Sequence, residues 1–268
     1  MILTIAGSIF ALVVIFIGLI WIFQERIAFQ PPRPPFPEAR ETRRITYTAQ
    51  DGQPLVAYII GEPATAKGLV LFFHGNADLA VHAIDWAERT ARVTGFAVML
   101  AEYRGYMGLG GRPTYATSQL DSEAAFLCAR DSLHVSPKHI AYYGHSLGSA
   151  VATELAVRHP PSVLLLESPF TSARAMGRVI GHRAVQLAWS TIARFHFDTR
   201  AQVASINAPV WVVHGARDRL IPSLMGSEVF AAAKVKGRIL LVPNASHNDV
   251  ALMGGSSYWE WIKSALSQ

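Results

Sequence analysis

The sequence predicts an α/β fold: a mostly parallel sheet of eight strands with helices on both faces. Three observations carry this. From about residue 45 to the C-terminus, short apolar runs alternate with helix-length stretches, the pattern of strands joined by crossover helices. The first two runs are separated only by Asp51-Gly52, a tight-turn dipeptide that makes them an antiparallel hairpin. Finally, 268 residues at 51% hydrophobic composition suffice for one full core but are too polar for a multi-spanning membrane protein.

The eight runs lie at 45–49, 55–60, 69–73, 97–101, 140–143, 163–166, 210–213 and 239–242. Helices fit between or after them at 79–93, 118–130, 147–158, 224–234 and 258–266. A longer insert, 169–198, need not belong to the sheet and reads as a short cap. It mixes Met176, Val179, Ile180, Val185, Leu187, Trp189, Ile192 and Phe195 with Arg174, Arg178, Arg183 and Arg194. Such a basic amphipathic stretch suits either a lid touching lipid headgroups or a cap helix with a solvated arginine face.

Ahead of this domain (45–268), residues 2–23 carry no charge, and a helix needs about 20 apolar residues to cross the hydrocarbon core. A transmembrane helix over 1–23 is therefore expected. A cleaved secretory signal would want a basic start and a small-residue exit, whereas no Lys or Arg precedes the run and Trp21, Ile22 and Phe23 close it. Arginines follow the run at Arg26, Arg33, Arg40, Arg43 and Arg44, which by the positive-inside rule puts the domain on the cytoplasmic side. Residues 24–44, with Pro31, Pro32, Pro34, Pro35 and Pro37, read as an extended linker holding the domain clear of the headgroups.

The net charge of +5 raises nucleic acid as a partner, but the excess sits partly beside the apolar run and no lysine-rich segment or nucleic-acid motif is present, so nucleic acid is set aside. The single cysteine, Cys128, excludes an intramolecular disulfide and a cysteine-built metal site, and is expected to be a small buried side chain.

The chemistry concentrates in three loops. Gly144-His145-Ser146-Leu147-Gly148 follows one apolar run directly and opens a helix, the context in which a serine is thrust out of a sharp strand-to-helix turn with small neighbours on either side. Such a nucleophile needs a base, and the base needs an acid to hold its tautomer, in the chain order Ser, Asp, His. Asp218 follows the strand at 210–213 and His247 the strand at 239–242. All three sit past the C-terminal ends of strands, where open α/β sheets place their ligands. Asp249 is assigned to capping the segment after His247. Two backbone N–H groups should await the developing oxyanion, one from Leu147 and one from Asn76 in the His74-Gly75-Asn76-Ala77 turn. His74 is read as a brace for that turn.

With Glu102-Tyr103-Arg104-Gly105-Tyr106 and Glu167-Ser168-Pro169-Phe170, these motifs resemble the α/β-hydrolase family from about residue 44 onward, and in detail its membrane-anchored branch of depalmitoylase-like and lysophospholipid hydrolases. The resemblance implies hydrolysis of an ester, thioester or amide through an acyl-enzyme, without metal or cofactor. Two departures stand out: no N-terminal cysteine cluster, and Met107-Gly108-Leu109-Gly110-Gly111 where relatives usually have a Ser-x-Gly-like sequence. The expected substrate is an acyl ester or thioester, lipid or acylated protein. The competing readings are a serine peptidase or amidase on the same scaffold, and a binding protein that keeps the fold without the reaction.

Overall fold

A computed structural model describes residues 2–39, 41–180 and 196–267. In chain order its elements are α1 (Ile2–Ala28), β1 (Arg43–Thr48), β2 (Pro54–Ile60), β3 (Leu69–Phe73), α2 (Ile84–Thr94), β4 (Ala97–Ala101), α3 (Tyr115–Leu127), β5 (Ile140–His145), α4 (Leu147–Arg158), β6 (Leu164–Glu167), α5 (Ala173–Ile180), α6 (Thr199–Val203), β7 (Val210–Gly215), α7 (Ser223–Ala232), β8 (Lys236–Val242) and α8 (Val250–Ala265).

The strands form one eight-stranded sheet in the order β1-β2-β4-β3-β5-β6-β7-β8. β1 and β2 form the expected hairpin, β2 runs antiparallel to β4, and every pairing from β4 through β8 is parallel. β3, β4 and β6 are buried at every residue, as strands covered on both faces must be. Parallel register aligns the strand ends: Phe73 of β3 lies opposite Gly144 of β5, and His145 opposite Glu167 of β6. One edge of the sheet therefore collects the loops after β3, β5, β7 and β8.

Several element bounds differ from the sequence expectation, α2 beginning at Ile84 rather than 79 and β8 at Lys236 rather than 239, and two of the differences have a local cause. α8 begins at Val250 rather than at residue 258, because two helical pieces abut across Gly255, whose φ of 51° and ψ of −130° only glycine adopts cheaply. α3 starts three residues before the expected 118, since Thr114 caps it by accepting the Thr117 N–H while the Thr117 hydroxyl accepts the Thr114 N–H. Cys128 is buried and free, as expected.

The N-terminal helix runs through Ala28, beyond the uncharged run. Leu12, Val13, Val14, Ile15, Phe16, Leu19, Trp21, Ile22 and Phe23 are exposed along it. Among the described residues, no helix is long and apolar enough to cross a membrane, so the structure does not support the transmembrane expectation. The chain that follows, expected as an extended linker, makes contact with the domain. Phe29 is buried in the domain core and Phe36 packs beside it, because two aromatic side chains in a proline-rich segment gain more by burial than by extension into water. Of the insert, residues 169–180 and 196–198 are described, while Arg183, Val185, Leu187, Trp189, Ile192, Arg194 and Phe195 lie outside the described residues.

Candidate active site

Ser146 sits between β5 and α4 with φ 53° and ψ −116°, a strained backbone for a residue with a side chain. The strain is held by close packing. A Cβ on Gly144 would run into the Gly148 carbonyl, and one on Gly148 would run into the carbonyl of Phe73. Ser146 also donates its N–H to the Glu167 carbonyl at 2.9 Å. The two glycines therefore let the turn close against β3.

His247 Nε2 lies 2.9 Å from Ser146 Oγ, and His247 Nδ1 lies 2.6 Å from Asp218 Oδ2. Ser146, Asp218 and His247 are all buried or nearly so, with 8–9% of each exposed. The structure thus brings together the serine, base and acid named from sequence. Asp218 Oδ1 accepts the N–H groups of Leu220 (2.9 Å) and Ile221 (2.8 Å), which fixes the carboxylate plane. Burial pushes this carboxyl upward, but hydrogen bonds from His214, His247 and the Ile221 N–H outweigh it and hold the group well below the usual carboxylate range. It stays ionised, as an orienting acid must.

The turn expected to supply the second oxyanion donor lies against Ser146: a Cβ on Gly75 would come within 3.3 Å of Ser146 Cβ. Among the described residues neither the Asn76 N–H nor the Leu147 N–H has a hydrogen-bond partner. The turn itself is braced from behind. His74 donates from Nε2 to Glu102 Oε1 at 2.7 Å and from Nδ1 to the Gly75 carbonyl at 2.8 Å. Glu102 also accepts the Ala80 N–H at 3.0 Å, and Tyr103 Oη donates to the His74 carbonyl at 3.2 Å. Burial pushes the His74 imidazole down, yet the Glu102 charge and hydrogen bond raise it above its ordinary value. Acceptors face both nitrogens, an arrangement that favours the protonated ring, and the contacts are those of a brace for the turn. Asp249 stands at the N-cap position of α8, but its side chain makes no capping bond there and instead accepts the Ser246 N–H at 2.6 Å, which stiffens the His247 loop.

The Glu102-to-Tyr106 motif now has physical content. Its Arg104 is 4% exposed and reaches Asp51 in the β1–β2 turn (3.0 Å from Nη2) and Asp121 in α3 (2.8 Å from Nε), tying the hairpin and α3 to the loop after β4. Three positions were not found by sequence reasoning. His214 Nε2 donates to the Ile221 carbonyl at 2.9 Å and lies 3.2 Å from Asp218 Oδ2. His145 donates from Nε2 to the His247 carbonyl at 3.2 Å. Tyr106 Oη donates to Asn76 Oδ1 at 2.9 Å. His145 and His214 stand at strand ends next to the motifs, which was the available signal. Nothing local to Tyr106 announces its partner 30 residues away.

No family model matches the chain. It is 30% identical over 204 residues to human alpha/beta hydrolase domain-containing protein 17B, across 76% of this chain and 67% of that protein. The chain belongs to the α/β-hydrolase family. This α/β-hydrolase is also 33% identical over 94% of its length to an uncharacterized Mycobacterium tuberculosis protein, 90% of which it covers, and 26% identical to the fission yeast protein bem46, across 96% of this chain and 90% of that one. Among solved structures it resembles the Pyrococcus furiosus esterase Pf2001 (TM-score 0.69, 18% identity, 90% of this chain and 97% of that one). It also resembles the esterase domain of a Rhodothermus marinus protein (TM-score 0.61, 19% identity, 84% and 99%). At such identities these two likenesses speak for an esterase-like fold alone.

Proposed function

We propose that this α/β-hydrolase is a serine hydrolase that cleaves a carboxylic ester or thioester of an acyl or lipid-like substrate. The observation that carries the reading is the unbroken line from Ser146 Oγ through His247 to Asp218, at 2.9 and 2.6 Å. In this reading Ser146 Oγ attacks the acyl carbon while its proton passes to His247 Nε2. The N–H groups of Asn76 and Leu147 receive the oxyanion, and Asp218 balances the imidazolium. Collapse expels the alcohol or thiol, which takes the proton from His247 and leaves an acyl-serine. Water then repeats the cycle: His247 takes its proton, the acid departs, and Ser146 recovers its hydrogen.

The N-terminal helix is the proposed membrane anchor of the 45–268 domain. Its support is the uncharged run 2–23 and the exposed apolar side chains along it, Leu12 at 65% and Ile15 at 57% among them. The arginine flank supports a cytoplasm-facing domain, and the mixed apolar and basic composition of the 169–198 insert suits a lid over an acyl chain. Two measurements test the reading. Turnover of acyl esters and thioesters should exceed that of aminoacyl anilides, and anilide cleavage alone would turn the assignment to a peptidase or amidase. Alkaline carbonate should leave the full chain in the membrane pellet, and its release would refute the anchor.

A further inference from the structure

The N-terminal segment reaches the site. The backbone N–H of Gln30 donates to Asn76 Oδ1 at 2.8 Å, across 46 residues of chain, and Tyr106 Oη donates to the same oxygen at 2.9 Å. The Gln30 N–H also lies against Tyr106 Oη, so the three groups form one cluster. Phe29 next to it is 5% exposed in the core, and Phe36 covers the Gly108 region of the loop after β4. Residues 29–36 therefore lie as a strap across the turn that carries Asn76.

That turn needs holding. The two oxyanion N–H groups are mounted differently: Leu147 opens α4 and is fixed by a twelve-residue helix, whereas Asn76 sits in a loop whose next residue, Ala77, has a φ of 54° without being glycine. His74, Glu102 and Tyr103 secure the loop's start and Ala80 its end, but among the described residues only the strap and Tyr106 grip Asn76 itself. We infer that Gln30, through its main-chain N–H, and Tyr106 are positioning residues that aim the Asn76 N–H at the oxyanion, so that the 29–36 segment is a working part of the site as well as the connection to the N-terminal helix. The inference rests on the reading of Ser146 as nucleophile and the Asn76 N–H as oxyanion donor.

The test uses the full-length chain. Gln30→Pro removes the N–H and keeps an extended backbone, while Gln30→Ala keeps the N–H and serves as the matched comparison. Tyr106→Phe removes the second donor and covers the case in which Gln30→Pro fails to fold. One hydrogen bond is a matter of roughly three- to tenfold. Gln30→Pro and Tyr106→Phe should each lower kcat by about that factor with KM within twofold, and weaken a trifluoromethyl ketone, which mimics the tetrahedral adduct, in parallel. In an Asn76→Ala background, where the shared acceptor is gone, neither change should have further effect. A kcat for Gln30→Pro equal to that of Gln30→Ala, with Tyr106→Phe also at wild-type kcat, overturns the inference; so do losses that persist undiminished on Asn76→Ala. A wild-type chain without esterase turnover or Ser146 labelling would instead overturn the reading beneath it.

Discussion

Asp218→Asn should leave a folded protein that barely turns over. Asp218 Oδ1 receives two backbone donors, Leu220 N–H and Ile221 N–H, at 2.9 and 2.8 Å. An asparagine must therefore place its oxygen there, since its NH2 group would face two donors. The NH2 then occupies the Oδ2 position, 2.6 Å from His247 Nδ1. An N–H pointing at Nδ1 requires a lone pair on that nitrogen, which moves the ring proton to Nε2, facing Ser146 Oγ at 2.9 Å. His247 can no longer accept the serine proton. The wrong tautomer costs serine triads about 10⁴-fold in kcat, which is about 5 kcal/mol at 1.36 kcal/mol per tenfold. The same NH2 faces the His214 Nε2–H, which lies between the Ile221 carbonyl at 2.9 Å and the Oδ2 position at 3.2 Å, so stability should also fall, by about 1–3 kcal/mol. The assay is kcat on a p-nitrophenyl acyl ester, with near-UV circular dichroism to establish folding. A folded Asp218→Asn protein retaining kcat within tenfold of wild type would refute the tautomer argument.

Three further outcomes follow from the same geometry. Gly148→Ala should destabilise the chain by about 3 kcal/mol, a fall of about 6–12 °C in Tm, because its methyl meets main-chain carbonyls of β3 that no rotamer change can clear; an unchanged melting curve would contradict the packing described for the turn. The buried His74–Glu102 pair raises the imidazole, so its contribution is complete below about pH 6.5 and is lost as pH rises through the folded value; the Tm gap between wild type and Glu102→Gln should therefore be larger at pH 6 than at pH 9, and a flat gap would contradict the upward shift. Asp218 is lowered, so its contribution is present above the ordinary value of 3.8 and lost as pH falls through the folded one; the stability difference between wild type and Asp218→Asn should hold from pH 8 to pH 5 and shrink only below pH 3.8.

Much of the scaffold was legible because burial on two faces leaves a plain mark. β3, β4 and α4 fall on the expected residues, since uninterrupted apolar runs bounded by glycine and a serine elbow admit few other readings. The start of α8 was hidden by Gly254-Gly255, which reads as a stop although the helix resumes across it. Ser146, Asp218 and His247 could be named because each ends a strand or follows one, and parallel register brings such ends together. What escaped depends on contacts between distant segments. The prolines of 31–37 signal extension, which does not distinguish a segment in water from one lying on the domain. The strap's grip comes from a main-chain N–H at Gln30, which carries no sequence signature, and from Phe29 and Phe36, whose aromatic character among the prolines was the one clue available.

The most direct test of the account is to treat the full chain and its Ser146→Ala variant with a fluorophosphonate probe and locate the adduct by mass spectrometry, since only an activated serine reacts. The account predicts one adduct, on Ser146, absent from the variant. Folded wild-type protein that takes no label, or takes it on another serine, would contradict it.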